Sequence, residues 1–378
     1  MDNAIVHFLF LLPRRLLRIW SLAFSPADSQ TYYPSAARKG RWRIFLENIW
    51  WLFRYQEVNT NYYLYGFDRS EITAFGEYLS AADSRKLRNS VRSDLARNSG
   101  GYAHEVMAND KFIFGMFCAG AGLPSPAIRA LWDGRDLLWM DERGAQPLES
   151  LLSQAGSGVF KDCSGGQGKG VHLFHVDAGQ LTLDGKATDM NTLRAGVEGR
   201  WLIQDLVTQH PRMNELYPHS INTVRIVTVM KDGIPHLFCA NGRFGSGGQN
   251  KDNWSIGGIT IAVDTDKGCF RGRGLYKPGY GTWATHHPDT RMELDGFALP
   301  FWPETCELVL RAHKLFYGFH SLGWDVAFTV AGPVLLEVNH DWLLTFMQAV
   351  HGGLRKRFYD TIPAHLRNHT RGCDIHGR

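Results

Sequence analysis

The sequence predicts an α+β protein: an amino-terminal helical region followed by two α+β lobes. Two observations predict it. Up to about residue 100, apolar residues recur at helical spacing and no alternating run of strand length occurs. Beyond it, short alternating or apolar runs bounded by Gly, Pro and Asn are interrupted by isolated helical patterns. A chain of 378 residues with 44% hydrophobic and 21% charged residues can build more than one core, and this composition excludes a disordered chain.

The first 24 residues are apolar enough to raise the question of a leader or a membrane span. Asp2 stands where a basic leader region belongs, and Pro13-Arg14-Arg15 breaks the apolar run after about ten residues, whereas a span needs roughly twenty. Residues 11–24 set Arg14, Arg15 and Arg18 beside Leu, Ile, Trp and Phe, the composition of a helix lying in a membrane interface. Residues 1–24 are therefore expected to contact an anionic membrane surface peripherally, at its inner face, in a cytoplasmic protein. In a second stretch Trp42, Phe45, Ile49, Leu52 and Phe53 recur at helical spacing, and packing on the protein body is the ordinary reading there. Residues 70–98 are polar with a helical period and end at Asn98-Ser99-Gly100-Gly101, which marks the end of the helical region at about residue 100.

The first lobe, 102–200, opens with a helix over 111–119, followed by short strands near 137–142, a helix near 148–154 and a strand–loop–strand over 159–174. The second, 201–360, has strands over 221–230, 236–244 and 257–266, a helix over 304–319 and two last strands over 324–330 and 332–339. Residues 361–378 form a tail. A formal charge of +4 is small for this length and does not call for nucleic acid, although positive charge gathers near the amino end. The six cysteines show no CxxC spacing, so neither a zinc site nor a disulfide framework is indicated, and reduced thiols of a cytosol are expected.

The glycine-rich stretch "VFKDCSGGQGKGVHLF" fits neither common phosphate loop. For a Walker loop, Cys163 stands where the first glycine belongs and Gly170 where the hydroxyl belongs. A dinucleotide fingerprint needs a helix after the glycines, but "VHLFHV" alternates like a strand. Lys161, just ahead of Gly165, Gly166, Gly168 and Gly170, is placed to meet anions approaching the loop's N–H groups. Lys111 begins a helix, where an ammonium is unfavourable unless an anion sits between it and the helix dipole.

The stretch "DVAFTVAGPVLLEVN" carries the other chemistry. Strand alternation puts Glu337 and Asn339 on one face, and a three-residue turn would set Asp325 directly opposite Glu337. Two adjacent carboxylates repel and call for a shared cation, and hard oxygen ligands suit magnesium better than zinc. In "TWATHHPDT", His286, His287 and Asp289 are proton-shuttle candidates, beside the plainer reading of a turn with surface histidines.

Lys111, Lys161 with its glycine loop, and the Asp325, Glu337, Asn339 set occur in this order and at these separations in the ATP-grasp fold. With "SINTVRIVTV", "GGQNKDNWSIGGITIAVD", "HHPDTRMELDGFALPFW" and "DVAFTVAGPVLLEVN", residues 102–350 resemble, more narrowly, the sugar-transfer-associated ATP-grasp family. The resemblance implies two α+β lobes closing on ATP. It implies that Gly165, Gly166, Gly168 and Gly170 cover the β- and γ-phosphates, with Lys161 and Lys111 bonding phosphate oxygens. Gln204, Asp205, Leu206 and Val207 would meet the adenine through main-chain groups; Asp205 stands where the family usually has glutamate. Asp325, Glu337 and Asn339 would hold magnesium, Arg225 and Arg243 would face the γ-phosphate and a carboxylate, and Asn253, Gly257, Gly258 and His287 would line an acceptor pocket. The activity implied is an ATP- and Mg2+-dependent carboxylate–amine ligase working through an acyl phosphate. Its partners would be ATP and a carboxylate-bearing sugar or amino acid, in surface polysaccharide or glycoconjugate modification. A phosphotransferase on the same fold, and a non-catalytic nucleotide-binding partner of a glycosyltransferase complex, remain open; intact Lys161, Glu337 and Asn339 argue against the second.

Overall fold

The structure is a computed structural model that describes residues 3–98, 104–165, 170–249, 254 and 257–367. The chain forms two compact units: residues 1–97, 281–283 and 343–378 in one, residues 98–280 and 284–342 in the other.

In the first unit, helices α1 (Asn3–Phe24) and α2 (Arg41–Tyr55) run antiparallel, since Phe8 meets Phe53 with ring centres 6.3 Å apart and Phe24 meets Trp42 at 5.0 Å. Ile19, Leu22 and Ala23 of α1 and Ile44, Trp51 and Leu52 of α2 are buried, which accounts for one apolar stripe on each helix. The helical pattern over 70–98 becomes a helix only from Ala81, in α3 (Ala81–Asn98). Its start is set by side chains: the Glu57 carboxylate accepts from the N–H groups of Ala81 and Ala82 at 2.9 and 3.1 Å, and Ser80 Oγ accepts from Asp83 N at 2.9 Å. Gln348, fully buried, ties the segment after Leu343 to this unit. Its Oε1 accepts from Leu79 N at 2.8 Å and its Nε2 donates to Leu79 O at 2.9 Å. Residues 343–360 thus group with the amino-terminal helices and not with the second lobe, where the sequence had placed them.

The second unit begins with helices α4 (Val106–Asn109) and α5 (Lys111–Gly120) and is built on two antiparallel sheets. The first contains β1 (Ile128–Trp132), β2 (Leu137–Trp139), β3 (Ala145–Gln146), β4 (Gly156–Asp162), β5 (Val171–Asp177), β6 (Gln180–Leu183), β7 (Lys186–Thr188) and β8 (Trp201–Gln204). Their spatial order is β3-β2-β1-β8-β4-β5-β6-β7. β8 lies centrally, antiparallel to both β1 and β4, so the lobe the sequence ended at residue 200 extends through Gln204. Its core includes Phe160 stacked on Trp201 with ring centres 5.1 Å apart.

The second sheet contains β9 (Thr223–Lys231), β10 (Ile234–Phe244), β11 (Ile259–Asp264), β12 (Cys269–Tyr276), β13 (Trp283–Ala284), β14 (Ser321–Thr329) and β15 (Gly332–Asn339), in the order β13-β12-β11-β10-β9-β14-β15. β12 was not expected, because "CFRGRGLY" reads as a polar, glycine-bearing turn; only Phe270, Gly274 and Leu275 of it face the interior. The helix expected over 304–319 is found at Trp302–Leu315, with Pro303 in its first turn, where a missing N–H costs nothing. It packs Leu308, Val309 and Ala312 against Val224, Ile226, Trp324 and Val326 of the sheet, in a core that also takes Phe114 and Cys118 of α5. Among the described residues no helix is long and apolar enough to cross a membrane.

Candidate active site

A cavity of about 500 Å³ in the second unit gathers most of the residues that the sequence singled out. Lys111, Lys161, Gly165, Gln204 to Val207, Arg243, Asp325 and Glu337 line it, although they are spread over 227 sequence positions.

The second sheet supplies the charged floor. Asn241, Arg225, Asp325 and Glu337 stand in one row across β10, β9, β14 and β15, each paired with the next. Directly opposed residues project to the same face, so the row concentrates charge on one side of the sheet. The expected three-residue turn is absent: Thr329 pairs with Gly332, leaving the two-residue turn Val330-Ala331. A bulge restores the parity, because Val326 pairs with Leu335 while Asp325 pairs with Glu337, leaving Leu336 as the extra residue. The bulge also lets Leu336 and Glu337, neighbours in sequence, both line the cavity.

Asp325 is buried and held by two guanidinium groups. Arg225 donates from Nε to Oδ1 and from Nη2 to Oδ2 at 2.6 Å, and Arg243 Nη1 donates to Oδ2 at 2.8 Å. Burial alone would raise this carboxyl, but Arg225 and then Arg243 outweigh it and hold it far below the usual carboxylate range. Glu337 shifts the other way: burial raises its carboxyl, and the Asp325 charge raises it further. Its side chain is 37% exposed, yet that exposure opens into the cavity and not to bulk solvent, which is why solvation remains poor. Arg225 Nη2 lies 3.7 Å from Glu337 Oε1, and Asn339 Nδ2 donates to the same oxygen at 3.3 Å.

The first sheet supplies cations. Lys161, on β4, loses affinity for its proton through burial; Glu337 offsets part of that effect and Lys111 adds to it. Gln204 orients Lys161: its Oε1 accepts from Lys161 Nζ at 3.1 Å while its Nε2 is fixed on Pro126 O at 3.0 Å. The sequence had given Gln204 main-chain roles only. At the start of α5, Asp110 caps the helix by accepting from Phe112 and Ile113 N–H at 2.9 and 3.0 Å, and Lys111 turns away from the helix dipole to donate to Gly165 O. Gly170 closes the loop at φ 68, where a Cβ would come within 2.8 Å of Asp162 Cβ, so glycine is required. Gly166 and Gly168 lie outside the described residues. Asp205 donates its N–H to Ala127 O at 2.9 Å, and its carboxylate accepts from Arg129 at 2.5 Å, which turns that side chain away from the cavity's charged end.

The oxygen donors at the end of β15 fit a hard divalent cation. Glu337 retains a free oxygen, and Asn339, which donates through Nδ2, keeps its amide oxygen available on the same face. Asp325, with three guanidinium bonds on its two oxygens, has little accepting capacity left and serves first as the anchor of Arg225 and Arg243. Among the described residues no group of three His, Cys, Asp or Glu side chains is arranged as a metal cage, so the donor set here is two carboxylates and an amide.

The expected acceptor residues are elsewhere. Asn253 lies outside the described residues. Gly257, at φ 103, and Gly258 are not on the cavity wall; Gly257 O accepts from Ser246 Oγ at 2.7 Å. His287 is fully buried, with Nε2 donating to Gly245 O at 2.9 Å and Nδ1 accepting from Asp289 N at 3.2 Å. Burial lowers its proton affinity, and both ring nitrogens are engaged in holding the loop, so it is a structural residue and not the surface or shuttle histidine expected. Asp289 likewise accepts from Gly247 N at 2.7 Å.

Cavity residues that the sequence did not suggest come from the connection after β8: Thr208, Gln209, Asn214, His219, Ser220 and Ile221. Gln209 organises it, accepting from Asn222 N at 2.6 Å and donating to Asn214 Oδ1 at 2.8 Å. These contacts have no periodic signal; the one available hint was the buried polar Asn222 ahead of an apolar strand.

No curated protein matches the chain. Among solved structures it is similar to an N5-carboxyaminoimidazole ribonucleotide synthetase from Thermotoga maritima, at 12% identity and TM-score 0.32, over 61% of this chain and 41% of that one. It is similar to D-alanine-D-alanine ligases from Coxiella burnetii (10% identity, TM-score 0.33, 62% of this chain and 48% of that) and Bacillus anthracis (12%, 0.37, 69% and 68%). The chain spans less than half the length of the first two. Residues 90–361 match the sugar-transfer associated ATP-grasp family, and a match over this much of the chain identifies the protein as a member of that family, with its α+β ATP-grasp fold.

Proposed function

We propose that the protein is an ATP- and Mg2+-dependent ligase that joins a carboxylate to an amine, with a carboxylate-bearing sugar and an amino acid or amine as the pair. The observation that carries this reading is the single cavity in which Lys111, Lys161 and Arg243 face Glu337 and Asp325. Phosphoryl transfer to a carboxylate develops negative charge on oxygens that have few protons to share, and fixed cations in a poorly solvated site compensate that charge most strongly. Lys161, held by Gln204, and Lys111, held at Gly165, would bind the β- and γ-phosphates of the substrate ATP. Arg243 would orient the substrate carboxylate for attack on the γ-phosphorus, while Arg225 stays fixed by Asp325. The hinge residues Asp205, Leu206 and Val207 would hold the adenine by main-chain groups against Leu173 and Leu336. Glu337 and Asn339, with Asp325 behind them, would hold magnesium, which when bound neutralises phosphate oxygens. The acyl phosphate so formed would lose phosphate to the amine, giving an amide. A cytoplasmic site of action belongs to this proposal, because ATP is available there, and modification of surface polysaccharide or glycoconjugate precursors is its setting.

The test uses uronic acids with ATP, magnesium and hydroxylamine in place of the amine. A hydroxamate, with ADP and phosphate in equal amounts and no AMP, is expected. A stable phosphorylated product that resists hydroxylamine would replace the ligase by a phosphotransferase, and absence of any ATP turnover across acids and amines would favour a binding role.

A further inference from the structure

We infer that α1 and α2 together form a docking face for an anionic lipid bilayer, with α2 contributing as much as α1. The inference stands on the first unit alone and does not depend on the ligase reading. Each helix carries two apolar stripes where a helix on a protein body needs one. The inner stripes are buried, as described above. The outer ones are bare: Leu17 is 70% exposed, Trp42 and Leu46 62% and Phe53 59%, with Trp20 and Trp50 also open. Those of α2 recur at positions 42, 46, 50 and 53, one line along the helix, so the packing role expected for α2 explains only its other side.

The aromatic residues are assembled into one cluster. Trp20 meets Trp42 and Phe45 at 6.0 and 5.9 Å between ring centres, and Phe24 meets Trp42 at 5.0 Å, which joins the outer surfaces of the two helices. Contiguous exposed apolar surface of this kind marks an interaction site. Charge decides which partner. Residues 1–55 contain eight Lys and Arg against three Asp and Glu, an excess larger than the +4 of the whole chain. Exposed Arg14 and Arg18 flank Leu17, and exposed Arg41 and Arg43 flank Trp42. Two of the three acids are already neutralised: Asp28 accepts from Arg18 at 2.8 Å, and Glu47 is held by Lys39 at 2.9 Å. Trp and Phe set among arginines suit a headgroup layer, where the rings reach the acyl boundary and the guanidinium groups stay with lipid phosphates. Neither described helix crosses a membrane, so the pair would lie flat on one.

The test is sedimentation of the full-length protein with vesicles of phosphatidylcholine alone and of phosphatidylcholine mixed with phosphatidylglycerol. Binding to the mixed vesicles, weakened by salt, is expected. Combining Leu46→Ser, Trp50→Ser and Phe53→Ser should lower the vesicle-bound fraction at least about tenfold, with the thermal unfolding curve unchanged because these side chains are exposed. The inference is overturned if the parent protein stays in the supernatant with mixed vesicles, or if the triple variant sediments as the parent does. It is equally overturned if light scattering shows a dimer that the triple variant dissociates without any vesicle binding, since the face would then join two copies of the chain.

Discussion

Lys161→Ala should separate phosphate recognition from the rest of nucleotide binding. In the structure the ammonium has one neutral partner, Gln204 Oε1 at 3.1 Å, and sits on the cavity wall with Lys111 and Glu337 in its field. A buried ammonium with a single neutral hydrogen bond is poorly compensated, so it gains most when an anion arrives. Hydrogen bonds to charged groups contribute roughly 1.5 to 3 kcal/mol, and at about 1.4 kcal/mol per decade their loss corresponds to roughly 10- to 150-fold weaker ATP binding. Folding should be nearly unaffected, because Gln204 keeps its bond to Pro126 O and its freed oxygen faces the cavity, where water can replace the lysine. Isothermal titration with ATP and, separately, with adenosine reads the two parts of the site. ATP affinity should fall while adenosine affinity stays within about twofold, since the lysine would contact phosphates alone. If ATP binds the variant within about threefold of the parent, the phosphate role assigned to Lys161 is wrong; an equal loss for adenosine would mean that the cavity itself had changed.

Two further predictions rest on buried charge. Asp325→Asn leaves Arg225, itself buried, without its carboxylate and weakens the hold on Arg243, so urea denaturation should show a loss of about 3 to 5 kcal/mol; an unchanged midpoint would contradict the anchoring role. His313, fully buried with Nε2 on Phe319 O at 3.1 Å, has its proton affinity lowered by burial to about 4, from an ordinary 6.5. The unfolded chain then binds the proton that the folded one refuses, so stability is intact above about pH 6.5 and falls by about 3 kcal/mol as pH drops to 4. His313→Gln should flatten that slope in urea titrations between pH 7 and pH 4, and an undiminished slope would assign it to other groups.

The residues that carry chemistry were legible in the sequence because their types violate their surroundings. A lysine before a glycine loop, and Asp325, Glu337 and Asn339 ending otherwise apolar strands, are costly to place without a ligand or partner, and alternation along a strand is a local property. The two lobes, most strands and the amphipathic character of α1 and α2 were readable for the same reason, since period and composition are set by near neighbours. What sequence could not decide depended on pairing across distance. The bulge at Leu336 replaced the expected turn, because register is chosen by which faces bury against the core and not by the turn alone. β8 crossed into the first sheet because its neighbours β1 and β4 are distant in sequence. His287 and Asp325 found partners on other strands and loops, and those partners turned one from a shuttle candidate into a loop fastener and the other from a metal ligand first into an anchor for two arginines. The helical period of α1 and α2 showed that each had an apolar stripe; only the tertiary structure showed that each has two, one of them uncovered, because burial is a relation between segments and not a property of either one.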